Sequence, residues 1–238
     1  MEMLNNATAV PNPVDAAALD RRVADFVRLA YGWMCVGLLL TATTAALVVS
    51  SPAILIAIIR SQPLFWTLFI AQLGIVLVLS ARVDRLSGAI ASTLFIAYSV
   101  LTGVTMSFVF LVYTGESVAT MFVVTAVMFG AMAAWGTVTR RSLDGFGQFL
   151  FMGLVGVVVA SIVNMWLQHD GVAFVTSFIG VVVFTGLAAY DAQRLKVMAL
   201  ASSAGQQGSY AVAGALALYL DFINLFLMLL RLFGGRRR

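Results

Sequence analysis

Two aspartates, Asp191 and Asp221, lie within long apolar stretches of this 238-residue chain, where carboxylates are rare. Asp221 stands about twelve residues into the last stretch, which corresponds to a depth of ~16 Å at 1.5 Å per helical residue. An ionised carboxylate at that depth costs at least ~2.5–3.5 kcal/mol on insertion scales. Asp221 should therefore face the interior of a helix bundle, and Asn224, three residues on, shares its helical face.

Asp191 is the natural partner of Asp221. Apolar character resumes at Val197–Leu200, so the helix that carries Asp191 can continue well past it. The connection to the last helix is short, which makes the two helices antiparallel neighbours. Arg82 ends the second apolar stretch on the same side of the membrane. Two acids and one guanidinium can thus converge at one end of the bundle.

Such a group predicts proton-sensitive chemistry. Two carboxylates in one low-dielectric pocket cannot easily both ionise, and they titrate as a unit. When it is deprotonated, the pair can clamp Arg82 or bind a cation. When it is protonated, it releases both. The alternative is that the aspartates only anchor helices to one another through hydrogen bonds.

The composition places these residues in a membrane protein. The chain is 62% hydrophobic and 10% charged, with a mean hydropathy of +1.02, whereas soluble domains carry about 25% charged residues. Seven apolar windows are each long enough for the ~20 residues of a membrane-spanning helix. They lie at roughly 29–50, 63–81, 86–113, 117–139, 146–167, 172–200 and 209–233. We therefore predict an all-α integral membrane fold with seven transmembrane helices.

The domain organisation is expected to be simple. A polar leader and entry helix occupy residues 1–28, with a mobile part to about residue 18 and a short helix over Leu19–Arg28. A single seven-helix membrane domain follows over residues 29–235, and a basic tail covers residues 236–238. The polar start of the chain does not resemble a cleavable signal peptide.

The remaining polar residues exclude several function classes. The single cysteine, Cys35, excludes an internal disulfide. The sequence has no nucleophile–base pair, phosphate-binding glycine loop or metal-ligand spacing, so we expect neither an enzyme nor a cofactor. The net charge of +4 comes largely from the arginines of the tail and does not indicate a nucleic-acid partner. Gln72 and Asn164 are expected to form hydrogen bonds between helices.

Lysine and arginine in the connections predict the orientation. The leader and the second, fourth and sixth connections carry most of these residues, which predicts a cytoplasmic amino terminus. Seven crossings then place the basic tail on the opposite side, against the rule. Either the last helix crosses regardless, which we favour, or it re-enters and returns.

Four segments resemble the Bax inhibitor-1 family (transmembrane Bax inhibitor motif proteins), and in particular its bacterial branch. The terminal segment "LALYLDFINLFLMLLRLFG" is similar to the family's end signature, and "AAYDAQRLK" to its Tyr-Asp-x-Gln element, which includes Tyr190. "AYGWMCVGLLLTATTA" resembles its first span, and "FGAMAAWGTVTRRSLDGFG" the end of its fourth. The similarity runs from about residue 23 to residue 234.

The resemblance implies six helices around a central seventh, in a bacterial inner (plasma) membrane. It implies that Asp191 and Asp221 form a hydrogen-bonded proton-sensing pair in a pH-sensitive calcium leak channel, with Arg82 as the latch of the pore. Asp191 and Asp221 are then also the candidate ligands of Ca²⁺. Asn224, Gln72 and Tyr190 are then candidates for the pore or its polar network. Gln72 stands where related bacterial members carry a glutamate, which removes one candidate cation ligand.

Two other functions remain open. As some bacterial relatives are described to do, the chain could bind and modulate a membrane-bound protease or other stress or cell-death machinery, which would depend on the leader and not on Asp221. A proton-coupled transporter is the third reading, but clear internal repeats are missing. We expect a monomer whose partners are membrane lipid, transported Ca²⁺ and regulating protons.

Overall fold

The computed structural model describes residues 13–203 and 205–237, which form helices joined by short connections. The expected mobile leader lies, for residues 1–12, outside the described residues. The first helix already begins at Pro13, earlier than the expected start at Leu19. The helices are α1 (Pro13–Val49), α2 (Pro52–Arg60), α3 (Gln62–Ala81), α4 (Gly88–Met106), α5 (Val109–Val112), α6 (Gly115–Val138), α7 (Asp144–Leu167), α8 (Asp170–Ala201) and α9 (Gln207–Phe233).

Seven segments of the described chain are long and apolar enough to cross a membrane, which confirms the predicted fold class. They are α1 from Ala17, α3, the combined segment Gly88–Val112, and α6 to α9. The third span is interrupted, because α4 ends at Met106 and a separate short helix, α5, completes the crossing. A further short helix, α2, lies in the first connection.

Hydroxyl side chains fix where three of the spans begin. Ser61, Ser87 and Thr114 each precede a helix and accept a hydrogen bond from the backbone N–H three residues on, at 3.3–3.4 Å. Such caps satisfy backbone donors that a helix start leaves without a partner. The polar residues that the sequence offers at these connections therefore set the boundaries of α3, α4 and α6.

The last helix is the most buried element of the bundle. In the most apolar part of α9, 67% of the residues are buried within the protein, compared with 6% for α3. Helix α9 packs against α1, α3, α4, α6 and α8, whereas the contacts of α7 are concentrated on α8. The central position of α9 follows from these contacts, but a complete ring of six helices around it remains a prediction.

Small residues allow the helices to approach one another closely. A methyl group at Gly136 of α6 would lie 2.0 Å from the carbonyl oxygen of Ala189 in α8. A methyl group at Gly214 of α9 would lie 2.4 Å from Leu195 Cδ2 in α8. Helix α8 is thus held tightly between α6 and α9, so that side chains on its facing surfaces have fixed neighbours.

Long-range contacts define two faces of the bundle. At the amino-terminal face, Arg22 of α1 donates to the backbone oxygen of Ser202, and Gln206 Nε2 donates to the backbone oxygen of Asp84 at 3.0 Å. At the carboxyl-terminal face, Gly235 and Arg237 form backbone hydrogen bonds with the connection before α6. The end of α9 thus lies opposite the end of α8, which favours a complete crossing over re-entry.

Opposite accessibility of the two faces can be tested with single cysteines in a Cys35→Ala background. An impermeant thiol reagent applied to sealed vesicles should label either Arg140→Cys or Arg236→Cys, but not both, because the two positions lie at opposite ends of the bundle. Opening the vesicles with detergent should expose the second position. Labelling of both positions in sealed vesicles would show that the last helix does not cross.

Candidate functional site

The close packing of α8 and α9 brings Asp191 and Asp221 together. These two helices share the most extensive helix contact in the described structure. Ala188 and Ala192, on the packed surface of α8, are fully buried and small, so the backbones can approach. The two carboxyl groups lie near enough to interact with one another.

The two carboxyl groups differ in their surroundings. Asp221 is 5% exposed, and its Oδ2 atom has no hydrogen-bond partner among the residues that the structure describes. Asp191 is only partly buried and faces a cavity. A buried carboxylate oxygen without a donor is costly. A proton on one of the two carboxyl groups would supply that donor.

The cavity beside the pair has a volume of about 650 Å³ and lies between α7, α8 and α9. It exists because α7 packs on α8 and leaves a gap toward α9. Asn224, Tyr190 and Gln148 also line it. Asn224 Nδ2 donates to the backbone oxygen of Leu220 at 2.8 Å, which leaves its side-chain oxygen available to the cavity. Asn224 and Tyr190 therefore line the same cavity as the acidic pair, and their role in a pore or polar network stays a prediction.

Arg82 is not brought to the acidic pair. It follows the last residue of α3 at the amino-terminal face, where its side chain is exposed and does not line the cavity. The guanidinium that the structure places at the cavity is that of Arg194, one turn after Asp191, and it acts electrostatically on that carboxyl group. Of these two arginines, the one that the structure places beside the acidic pair is thus Arg194 and not Arg82.

Gln72 also lies away from the cavity. Its Nε2 atom donates to the backbone oxygen of Leu101 in α4 at 3.4 Å, which is the interhelical hydrogen bond expected from the sequence. Among the described residues, Asn164 forms its side-chain hydrogen bond within its own connection and not with another span. Its Oδ1 atom accepts from the backbone N–H of His169 at 3.1 Å and closes the turn after α7, where Gln168 adopts a left-handed conformation with φ of 48°.

Gln193 is a site residue for which the sequence analysis gave no role. Its Oε1 atom accepts from the backbone N–H of Leu143, and its Nε2 atom donates to the backbone oxygen of Arg141, both at 2.8 Å. This clamp ties the basic connection between α6 and α7 to α8, two residues from Asp191. Gln193 lies two residues after Asp191 in the segment "YDAQ", and this position is the feature of the sequence that could have indicated its role.

Two carboxyl groups alone make an incomplete metal site. The described residues contain no group of three or more His, Cys, Asp or Glu side chains that could hold a metal ion. Ca²⁺ takes six to eight oxygen ligands, whereas the pair offers four carboxyl oxygens, with amide oxygens of Asn224 and Gln148 nearby.

The fold and this site define an integral membrane protein with seven spans and an acidic pair buried between the last two. The family model described as "Inhibitor of apoptosis-promoting Bax1" matches residues 23–238. The chain belongs to the Bax inhibitor-1 family.

Relatives of similar length support the membrane assignment. The inner membrane protein YbhL of Escherichia coli (strain K12) is 50% identical over 210 residues, which cover 87% of this chain and 90% of that protein. An uncharacterized protein of Borreliella burgdorferi is 40% identical over 214 residues, covering 89% and 92% of the two chains. An uncharacterized protein of Deinococcus radiodurans is 40% identical over 216 residues, covering 90% and 92%. With its seven apolar helices, the chain is an integral inner membrane protein.

Proposed function

We propose that this protein is a pH-sensitive leak pathway for calcium ions, with the Asp191–Asp221 pair as its proton-sensitive element. The observation that carries the proposal is a buried carboxyl group with an oxygen that lacks a partner, beside a second carboxyl group that faces a cavity. Ionisable residues at such depth are expensive, and in membrane proteins they mark ion pathways and proton relays.

The proposed leak follows the seam between α7, α8 and α9, on which the acidic pair lies. The cavity at the acidic pair lies on one part of this seam, and a second cavity of about 600 Å³ lies on the same seam at the carboxyl-terminal face. Between them, Met228 of α9 packs on Gly180 of α8, where an added methyl group would lie 2.9 Å from Met228 Cγ. This apolar contact closes the seam, so a leak requires α9 to move relative to α8.

Protonation of the acidic pair lowers the stability of the closed arrangement and so favours that movement. The ionised pair carries negative charge that attracts Arg194 and any cation in the cavity, which favours the closed contact. At acid pH, the second carboxyl group takes up a proton, and the closed state loses the electrostatic attraction between the pair and Arg194. The leak should therefore rise as pH falls and decline toward neutral and alkaline pH.

The orientation that fits this proposal has the amino-terminal face in the cytoplasm. The basic residues of α1 and of the second, fourth and sixth connections lie toward that face, in accord with the positive-inside rule. The acidic pair then lies in the cytoplasmic half of the membrane. In the labelling experiment above, Arg140→Cys should react in inverted vesicles and Arg236→Cys in right-side-out vesicles; the reverse would overturn this orientation.

The central experiment measures Ca²⁺ flux into liposomes that contain the purified protein, across a range of pH. Asp191→Asn and Asp221→Asn should each raise the leak at neutral pH toward the acid-pH value of the wild type and flatten the pH dependence. The reason is that asparagine keeps much of the hydrogen bonding but cannot ionise. Asp25→Asn is the matched control, because Asp25 is exposed and pairs only with Arg28 at the surface.

The outcome separates transport from other roles. An unchanged pH response in well-folded Asp191→Asn and Asp221→Asn would show that the pair is not the proton sensor. If the wild type itself moved no Ca²⁺ at any pH, the leak proposal would fail. The reading as an interaction protein for a membrane-bound protease would then be favoured.

Charge removal at the two candidate latches gives a separate test. Arg194→Gln should increase the leak a few-fold at neutral to alkaline pH and change it little at acid pH, where the contact is already lost. The effect is limited because solvent screens an exposed guanidinium. Arg82→Gln removes the same charge outside the cavity and should leave the flux profile close to that of the wild type. If Arg82→Gln increased the leak at neutral pH and Arg194→Gln did not, Arg82 and not Arg194 would be the latch.

A further inference from the structure

The second cavity on the seam lies at the carboxyl-terminal face and has no role in proton sensing. Its volume is about 600 Å³, and it is bounded by the ends of α7 and α9, the start of α8 and the tail. Two guanidinium groups, those of Arg231 and Arg236, line it together. Within the part of the chain that the structure describes, neither forms an ion pair with a carboxylate.

Backbone hydrogen bonds hold Arg236 in this position. Thr114 N–H donates to the oxygen of Gly235 at 3.1 Å, and Arg237 N–H donates to the oxygen of Val112 at 2.9 Å. Gly235 N–H also donates to Ser117 Oγ at 2.8 Å. The tail is thus tied on both sides of Arg236 to the connection before α6. Arg231 comes from the last turns of α9, so the two basic groups reach the cavity from separately fixed segments.

Neutral polar groups complete the polar part of the cavity around the two arginines. Asn164 uses its Oδ1 atom to accept from His169, so its Nδ2 group is left to donate. Ser177 and Tyr113 are buried and add hydroxyl groups to the lining. Asp170 also lines the cavity and offsets one of the two positive charges. The remaining net positive charge and the array of donors fit a singly charged phosphate diester.

The flank of the cavity is apolar and faces lipid. Met165 of α7 and Phe174 of α8 line it, and their side chains are 62% and 61% exposed on membrane-spanning helices. The gap between α7 and α9 leaves this side open. A ligand seated here would have its anionic group against the arginines and an apolar part along α7 and α8. An acyl chain meets that requirement, whereas a soluble anion does not.

We propose that this cavity binds the headgroup of an anionic phospholipid from the membrane leaflet at the carboxyl-terminal face. The phosphate accepts charge-assisted hydrogen bonds from Arg231 and Arg236, and one acyl chain lies along Met165 and Phe174. The assignment depends on no property of the acidic pair, and it holds whether or not the protein conducts ions.

Native mass spectrometry of the full-length protein in detergent tests the proposal. Phosphatidylglycerol and phosphatidylcholine with the same acyl chains are titrated against the wild type, and phosphatidylglycerol should bind more tightly. Arg231→Gln and Arg236→Gln should each weaken phosphatidylglycerol binding about fivefold, which corresponds to ~1 kcal/mol per basic residue. Arg237→Gln is the matched control, because Arg237 uses its backbone for the tail contact and does not line the cavity.

Each other outcome contradicts the assignment. Equal binding of the two lipids, or an equal loss in Arg237→Gln, would mean that only general surface charge attracts lipid. Displacement of phosphatidylglycerol by glycerol 3-phosphate at equal concentration would show a site for free phosphate. Thermal denaturation of each variant controls for folding, and Arg236→Gln, which alters an exposed tail side chain, keeps the test valid if Arg231→Gln fails to fold.

Discussion

The packing of α8 against α9 is the contact on which the rest of the structure depends. It brings two carboxyl groups from different helices side by side within the membrane-spanning part of the bundle. A membrane offers no water to dissolve such charges, so burial is tolerable only if a proton, a cation or a polar neighbour compensates. The small residues along α8 make the approach possible, and the gap beside α7 gives the pair its cavity.

The surroundings of α9 divide into a fixed side and a side with space. On the fixed side, Thr41 Oγ1 lies 2.6 Å from Tyr219 OH and donates to the backbone oxygen of Ser99 at 2.9 Å, which ties α9 to α1 and α4. On the other side, Asp221 faces the α7–α8 seam with one oxygen unsatisfied. A change of charge there acts on a helix that is anchored along its opposite surface, which favours discrete rearrangements over gradual ones.

Much of this architecture can be read from the sequence because the signals are strong. Apolar windows fix the seven spans, and a carboxylate in such a window must face the interior, which identifies Asp191 and Asp221. The same reasoning does not give the direction of a long exposed side chain at a helix end. Arg82 and Arg194 both lie toward the predicted side, and only the packing of α7 on α8 shows which of them reaches the cavity.

Other features need tertiary contacts that no local pattern encodes. In the sequence, Gln193 looks like any polar residue near a helix end. Only the tertiary structure shows that it holds the connection between α6 and α7. In the sequence, the basic tail only conflicts with the positive-inside rule. Its backbone hydrogen bonds to the connection before α6 show on which face of the bundle it lies. From hydropathy alone, the segment that forms the short helix α2 is read as a connection. The segment that forms α5 is read as part of one continuous span.

The most direct test of the account is whether the buried pair holds a proton at neutral pH. Infrared spectroscopy of the purified protein in lipid should show a protonated carboxyl C=O stretching band at pH 7 that shifts in deuterated water. If the protonated group belongs to the pair, the band should shift or weaken in Asp191→Asn and in Asp221→Asn, disappear in the double variant that carries both substitutions, and remain in Asp25→Asn. Absence of the band from the wild type at pH 7, or its persistence in the double variant, would contradict the proposal that the Asp191–Asp221 pair binds the proton.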